Sequence, residues 1–214
     1  FLFKKLIPMF YCIVAALGFF VAFNGSQIGI LLGGSEFQQA GFAISIMSLY
    51  PIHQTYGQLN GSVFYATDQT KLYRNIGVGM KIFGISVTFI LLAPSSYGGF
   101  NLGSVGLALS MIIVQFIGVN IQLLFNTKYL NLSFINLFFH QCLVIGVFGI
   151  LAYGSNLVLG YFVQENLFDL FYSALIYFTL VSVLVYMFPM IISLTRSELI
   201  NQIKKMINSI KNNQ

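Results

Sequence analysis

Apolar residues in this chain come in long unbroken runs, separated by short segments where Gly, Ser, Asn and charged residues gather. A helix needs about 20 apolar residues to span the hydrocarbon core of a bilayer. Six runs qualify: residues 6–24, 40–66, 76–93, 105–125, 134–153 and 167–194. They are continuous rather than alternating, and too long for barrel strands of about 10 residues, so they read as helices. The pattern predicts an all-α polytopic membrane protein, one bundle of six transmembrane helices covering residues 1–214. Residues 198–214 form an amphipathic tail, with Leu199, Ile203, Met206, Ile207 and Ile210 on one helical face and Lys204, Lys205, Asn208 and Lys211 mostly elsewhere. Such a tail either lies on an anionic leaflet or serves as a basic segment that fixes topology.

The second run departs from the apolar norm. At 100° per residue, Tyr50, Gln54, Gly57, Gln58, Gly61 and Tyr65 share one stripe, with His53 and Asn60 beside it. Pro51 removes a backbone hydrogen bond and is the expected hinge. On the fourth run Met111, Gln115, Gly118, Gln122 and Asn126 share a face, and on the fifth Asn136 and His140 are four apart. Two readings stay open for the fourth and fifth runs: helix–helix hydrogen bonding, or the wall of a polar path. For the second run the path is preferred, because two Gln, a His and several Tyr exceed what packing requires. Lys81 lies about 12 Å beyond Tyr73 along a helix. It either snorkels to the headgroups or faces a cavity for an anionic substrate. The candidate substrate path is therefore Tyr50, His53, Gln54, Gln58, Lys81, Gln115, Gln122 and His140.

Composition agrees with a membrane protein. Of the 214 residues, 57% are hydrophobic and 7% charged, with a mean hydropathy of +0.85. About 25% of an ordinary soluble domain is charged. The net charge of +5 does not indicate a nucleic-acid partner, because the cations flank the apolar runs instead of forming one basic stripe. With six crossings all ten Lys and Arg fall on one side, and Glu36, Glu165 and Asp169 on the other. The positive-inside rule then makes both termini cytoplasmic. The outer segment 27–39 contains IGILLGG, too short to cross, which either lies at the interface or extends the first helix. Cys12 and Cys142 both lie in apolar runs and are expected as free buried thiols. All five carboxylates fall in loops or at helix ends, and no nucleophile or metal-ligand spacing appears. The expectation is a non-catalytic protein without metal or cofactor.

Residues 50–77, YPIHQTYGQLNGSVFYATDQTKLYRNIG, resemble a segment of the Wzx-type oligosaccharide repeat-unit flippases, of the multidrug/oligosaccharidyl-lipid/polysaccharide exporter superfamily. The Gly-rich stretch GGFNLGSVGLALS (98–110) is similar to an outer loop of the second bundle of such proteins. The resemblance implies two six-helix bundles around a central cavity, of which this chain is the C-terminal one. It implies flipping of a polyprenyl-diphosphate-linked oligosaccharide across the bacterial inner membrane for O-antigen or capsule assembly. The expected partners are the lipid-linked oligosaccharide, membrane lipids, and a second wall: an N-terminal bundle of the same parent chain, since this one opens with Phe1, or a second copy. The alternatives are a multidrug exporter of the same superfamily, for which no membrane-embedded carboxylate is evident, or a membrane-embedded polysaccharide-assembly enzyme. A non-catalytic scaffold has no need of the polar second run.

Overall fold

A computed structural model describes residues 2–160, 167–201 and 204–205. Among them every regular element is helical. Helix α1 (Ile7–Phe23) continues a π-wound turn at Leu2–Leu6. Then come α2 (Gly25–Gly33), a 3-10 turn (Ser35–Ala40), α3 (Gly41–Met47), α4 (Tyr50–Ala66), α5 (Thr70–Leu92), α6 (Gly103–Tyr129), α7 (Phe134–Gly160) and α8 (Leu167–Met187). A second 3-10 turn, Pro189–Ile192, follows α8. Five helices among the described residues are long and apolar enough to cross a membrane: Leu2–Phe23, Thr70–Leu92, Gly103–Tyr129, Phe134–Val158 and Asp169–Met187.

The remaining expected span, 40–66, is two helices. Pro51 has no N–H for the carbonyl of Met47, and its ring crowds that carbonyl. The chain therefore leaves the helix at Ser48 and Leu49 and restarts with Pro51 in the first turn of α4, where a proline costs no helical bond. Ser48 Oγ donates to Ser45 O (2.7 Å) and lies 3.0 Å from Gly18 O, fixing the break against α1. The bend thus precedes Pro51 instead of lying at it. Other boundaries move as well. The third span starts at Thr70 rather than 76, after a tight turn with Asp68 at φ 57°. The sixth stops at Met187, short of 194, because Pro189 cannot continue it. The segment 27–39 is helical as far as Gly33, where α2 follows α1 after a kink at Asn24, and winds as a 3-10 turn from Ser35. Cys12 is a buried free thiol, but Cys142 is exposed. The expected outer-loop Glu165, and most of the amphipathic tail, lie outside the described residues.

Residue pairings give the helix directions. Gly18 meets Ser48 and Tyr11 meets His53, so α3 and α4 run antiparallel to α1. Gly57 packs on Val119 and Asn60 on Asn126, so α4 and α6 are parallel. Met80 packs on Gly118 and Leu91 on Gly106, so α5 opposes α6. Asn156 donates to Phe23 O, and Ser173 to Asn24 Oδ1, so α7 follows α1 and α8 opposes both. Lys4, Lys5, Lys71, Arg74, Lys128 and Arg196 consequently gather at one end, and Glu36 and Asp169 at the other.

The core is built on α1. Tyr11, Cys12, Ala15, Ile52, Tyr56, Leu123, Val144 and Phe148 are all buried there. Burying apolar area gives little advantage over lipid, so close packing and hydrogen bonds must hold such helices together. Asn60 and Asn126 are both fully buried: Asn126 Nδ2 donates to Asn60 O (3.1 Å), and Asn60 Nδ2 to Val119 O (3.3 Å). Helix α5 is peripheral. Only 6% of its most apolar stretch is buried, against 44% for α1.

The C-terminal turn closes the bundle. Ile191 O accepts from His140 Nε2 (2.8 Å) and from the Cys12 thiol (3.1 Å), joining α7 and α1. Thr195 and Glu198 then form a reciprocal cap: Thr195 N–H donates to Glu198 Oε2 (2.9 Å), and Glu198 N–H to Thr195 Oγ1 (3.4 Å). Glu198 also pairs with Lys5. That hydrogen bond, with those from Thr195, pulls the Glu198 carboxyl from 4.5 down to about 2. A depressed acid stabilises the docked tail above its free value and loses that contribution as pH falls through its bound value. Tail docking will therefore be unchanged from neutral pH to about 4.5 and weaken between there and about 2. Limited proteolysis at Arg196 over that range will show the rise. In Glu198→Gln, whose side chain does not titrate, cleavage will not change over that range.

Candidate functional site

Between α4, α5 and α6, at the cation-rich end, lies a cleft of about 660 Å³. Lys71, Arg74, Val78 and Lys81 from α5 line one side. At 3.6 residues per turn the three cations lie within an arc of about 80°. None has a hydrogen-bond or ion-pair partner among the described residues. Tyr65 and Tyr73 form a second wall, their rings edge to face at 5.4 Å. Tyr73 also stacks on Phe64 (5.4 Å). Its hydroxyl lies over Gly61, where a Cβ would come within 3.0 Å of it. Gln122 of α6 completes the cleft, and its buried carbonyl oxygen has no partner among the described residues.

A polar stripe leads away from this cleft along α4. Pro51, Gln58, Ser62 and Tyr65 are exposed and Gln54 is half-buried, all on one face. Ser62 satisfies its hydroxyl on Gln58 O. The opposite faces of α4 are committed to α1 and α6. Tyr65 belongs to both stripe and cleft. The arrangement is therefore a continuous polar surface beginning at a tricationic mouth, on a helix surrounded by membrane-length neighbours. Such a surface suits an anionic group with hydroxyl-rich attachments.

The expected path residues separate into groups. Lys81 and Gln122 come together in the cleft, while Gln54 and Gln58 lie on the stripe leading to it. Half-buried Tyr50 starts the same helix. Gln115 is also half-buried, its amide nitrogen 3.3 Å from where a Cβ on Gly57 would be, so it fills the α4–α6 contact. His53 is turned into the core, only 6% exposed, with Nδ1 3.3 Å from Tyr11 Oη and its ring edge-on to Phe116 at 4.8 Å. His140 serves the C-terminal turn through Ile191. Lys71, Arg74, Tyr65 and Tyr73 were not among the path residues. The signal for the cations was present, as Lys71, Arg74, Val78 and Lys81 repeat at helical spacing, but it is legible only if α5 begins at Thr70.

Comparison of the chain with protein families, with curated proteins and with solved structures found no match.

Proposed function

We propose that this chain forms one wall of a transporter that flips a polyprenyl-diphosphate-linked oligosaccharide across the bacterial inner membrane. The observation that supports it is the cleft of Lys71, Arg74 and Lys81, opening onto the α4 stripe. A diphosphate takes charge-assisted hydrogen bonds from the three cations. Sugar hydroxyls exchange with Gln54, Gln58 and Gln122, and the apolar faces of the sugars lie on Tyr65 and Tyr73. The prenyl tail stays in lipid beside the peripheral α5. No covalent step is needed, and the protein is not an enzyme in this reading. The stripe faces a second bundle, from the same parent chain or a second copy, because exposed Gln58 is costly against hydrocarbon. The test is protection of a labelled polyprenyl-diphosphate oligosaccharide in vesicles holding the complete parent protein. Transfer of that substrate but not of its uncharged polyprenol glycoside is expected. Equal transfer of both would remove the cations' role.

In this reading α3 and α4 cross together as one bent span, giving six crossings with both termini cytoplasmic. Their 7 and 17 residues, with the two between, reach about 39 Å at helical rise. In a cysteine-free background, cysteines at exposed Ser35 and Ser96 will react with an impermeant reagent from outside, and one at exposed Asn131 will not. The opposite pattern would invert the topology, and uniform labelling of all three would disprove the six crossings.

A further inference from the structure

The turn after α8 builds a second site, apart from the α5 cleft. Its geometry follows from the sequence FPMIISLTR. Pro189 ends the helix, residues Pro189–Ile192 wind as a 3-10 turn, and Ser193 adopts φ 56°, reversing the chain. The N–H of Leu194 donates back to Pro189 O (3.2 Å), closing the loop. The result is a cavity of about 580 Å³ whose floor is apolar, from Met187, Phe188 and Leu194, with Arg196 at its rim. Met190, 84% exposed, lines it too, and it and Phe188, 55% exposed, leave the cavity open to the surroundings.

We propose that this turn binds an anionic phospholipid of the leaflet at the cation-rich end, its phosphate on Arg196 and an acyl chain along Met187, Phe188 and Met190. Three observations select this occupant. Arg196 has no partner among the described residues, and the nearest acid along the chain, Glu198, is already engaged by Lys5 and by the Thr195 N–H. Lys204 and Lys205, also exposed, follow in the same tail, so the surroundings are cationic. The site lies directly at the end of a membrane-length helix, where phosphate and the first methylenes of a lipid meet. The unbranched Met187 and Met190 adapt to a chain that has no fixed shape. The inference requires only that α8 spans a bilayer, and it stands or falls independently of the flipping reading.

These 214 residues contain no Trp, so Phe188→Trp, in a parent protein cleared of any Trp elsewhere, supplies a single local reporter. The complete protein carrying it is placed in vesicles of phosphatidylcholine and phosphatidylglycerol, with one or the other lipid brominated. Quenching is expected to show about a fivefold preference for the anionic lipid. Arg196→Gln should bring the ratio close to one, and Arg196→Lys should keep most of it. A reporter at Ile85→Trp, on the lipid-exposed side of α5 (71% exposed), should show no preference. If Phe188→Trp disturbs the turn, Met190→Trp carries the same measurement. A ratio near one at both turn reporters, or a preference unchanged by Arg196→Gln, would overturn the proposal.

Discussion

If the chain flips a polyprenyl-diphosphate oligosaccharide as proposed, replacing Arg74 and Lys81 together by glutamate will reduce transfer to that of protein-free vesicles. Both cations line the same cleft, and among the described residues no lining side chain is acidic. Two carboxylates there would repel the diphosphate that two cations attract. The single alanine variants lose one charge-assisted interaction each, worth about 1.5–3 kcal/mol, so substrate affinity should fall roughly 10- to 100-fold. Lys81→Arg keeps the charge and should retain most of the activity. Gln54→Ala and Gln58→Ala each remove a neutral hydrogen bond of about 1 kcal/mol, giving losses of several-fold. The comparison of Lys81→Ala with Lys81→Arg separates two roles. A lysine that only snorkels to the headgroups would make the two alike. Normal transfer by both Arg74→Glu/Lys81→Glu and Gln54→Ala/Gln58→Ala would eliminate the path along α4.

Gly25→Val will strongly destabilise the end of the bundle where α2 and α3 begin. A Cβ on Gly25 would fall on Ser45 Oγ, 2.6 Å from Gly41 O and 2.9 Å from the Ser45 nitrogen. A Cβ on Gly41 would meet Ser26 in return, 2.5 Å from its Cα. The start of α2 and the start of α3 thus touch backbone to backbone, and neither can yield by rotating a side chain. Overpacking costs about 1–3 kcal/mol where side chains can adjust, and more where they cannot. The Gly25→Val protein should melt well below the parent in detergent, with Gly25→Ala in between. Gly79→Ala on α5, where a Cβ meets nothing within 4 Å, should be neutral or slightly stabilising, since Ala favours a helix over Gly by roughly 0.5–1 kcal/mol. Co-melting of Gly25→Val with the parent would contradict the close contact.

Apolar run length was enough to find α1, α5, α6, α7 and α8, because helices long enough to span a bilayer need little else. It failed at the N-terminal edge of α5, which begins at Thr70 and not at 76. The first turns, Thr70 to Asn75, contain Lys71, Tyr73, Arg74 and Asn75, which an apolar count rejects although a helix tolerates them at a membrane surface. That error concealed two of the three cleft cations. The histidines show a different limit. His53 and Gln54 are neighbours in sequence, yet one faces Tyr11, 42 positions away, and the other faces outward. His140 is decided by Ile191, 51 positions on. No local pattern contains those partners. The break in α3–α4 was half legible: proline announces a disruption nearby, and the bond it denies to Met47 moves the disruption upstream.

The knot at Ile191 has a consequence for how the chain is made. Its carbonyl takes hydrogen bonds from the first and seventh helices, and the pair that seals it, Lys5 with Glu198, is 193 positions apart. The first helix leaves the ribosome long before either partner exists. Until synthesis passes residue 191, the Cys12 thiol and His140 Nε2 lack their acceptor, and until it passes residue 198, Lys5 lacks its counter-ion. Assembly of this end therefore waits for the turn at residues 189–198, and a nascent chain stalled before that turn will hold its helices inserted but unfastened.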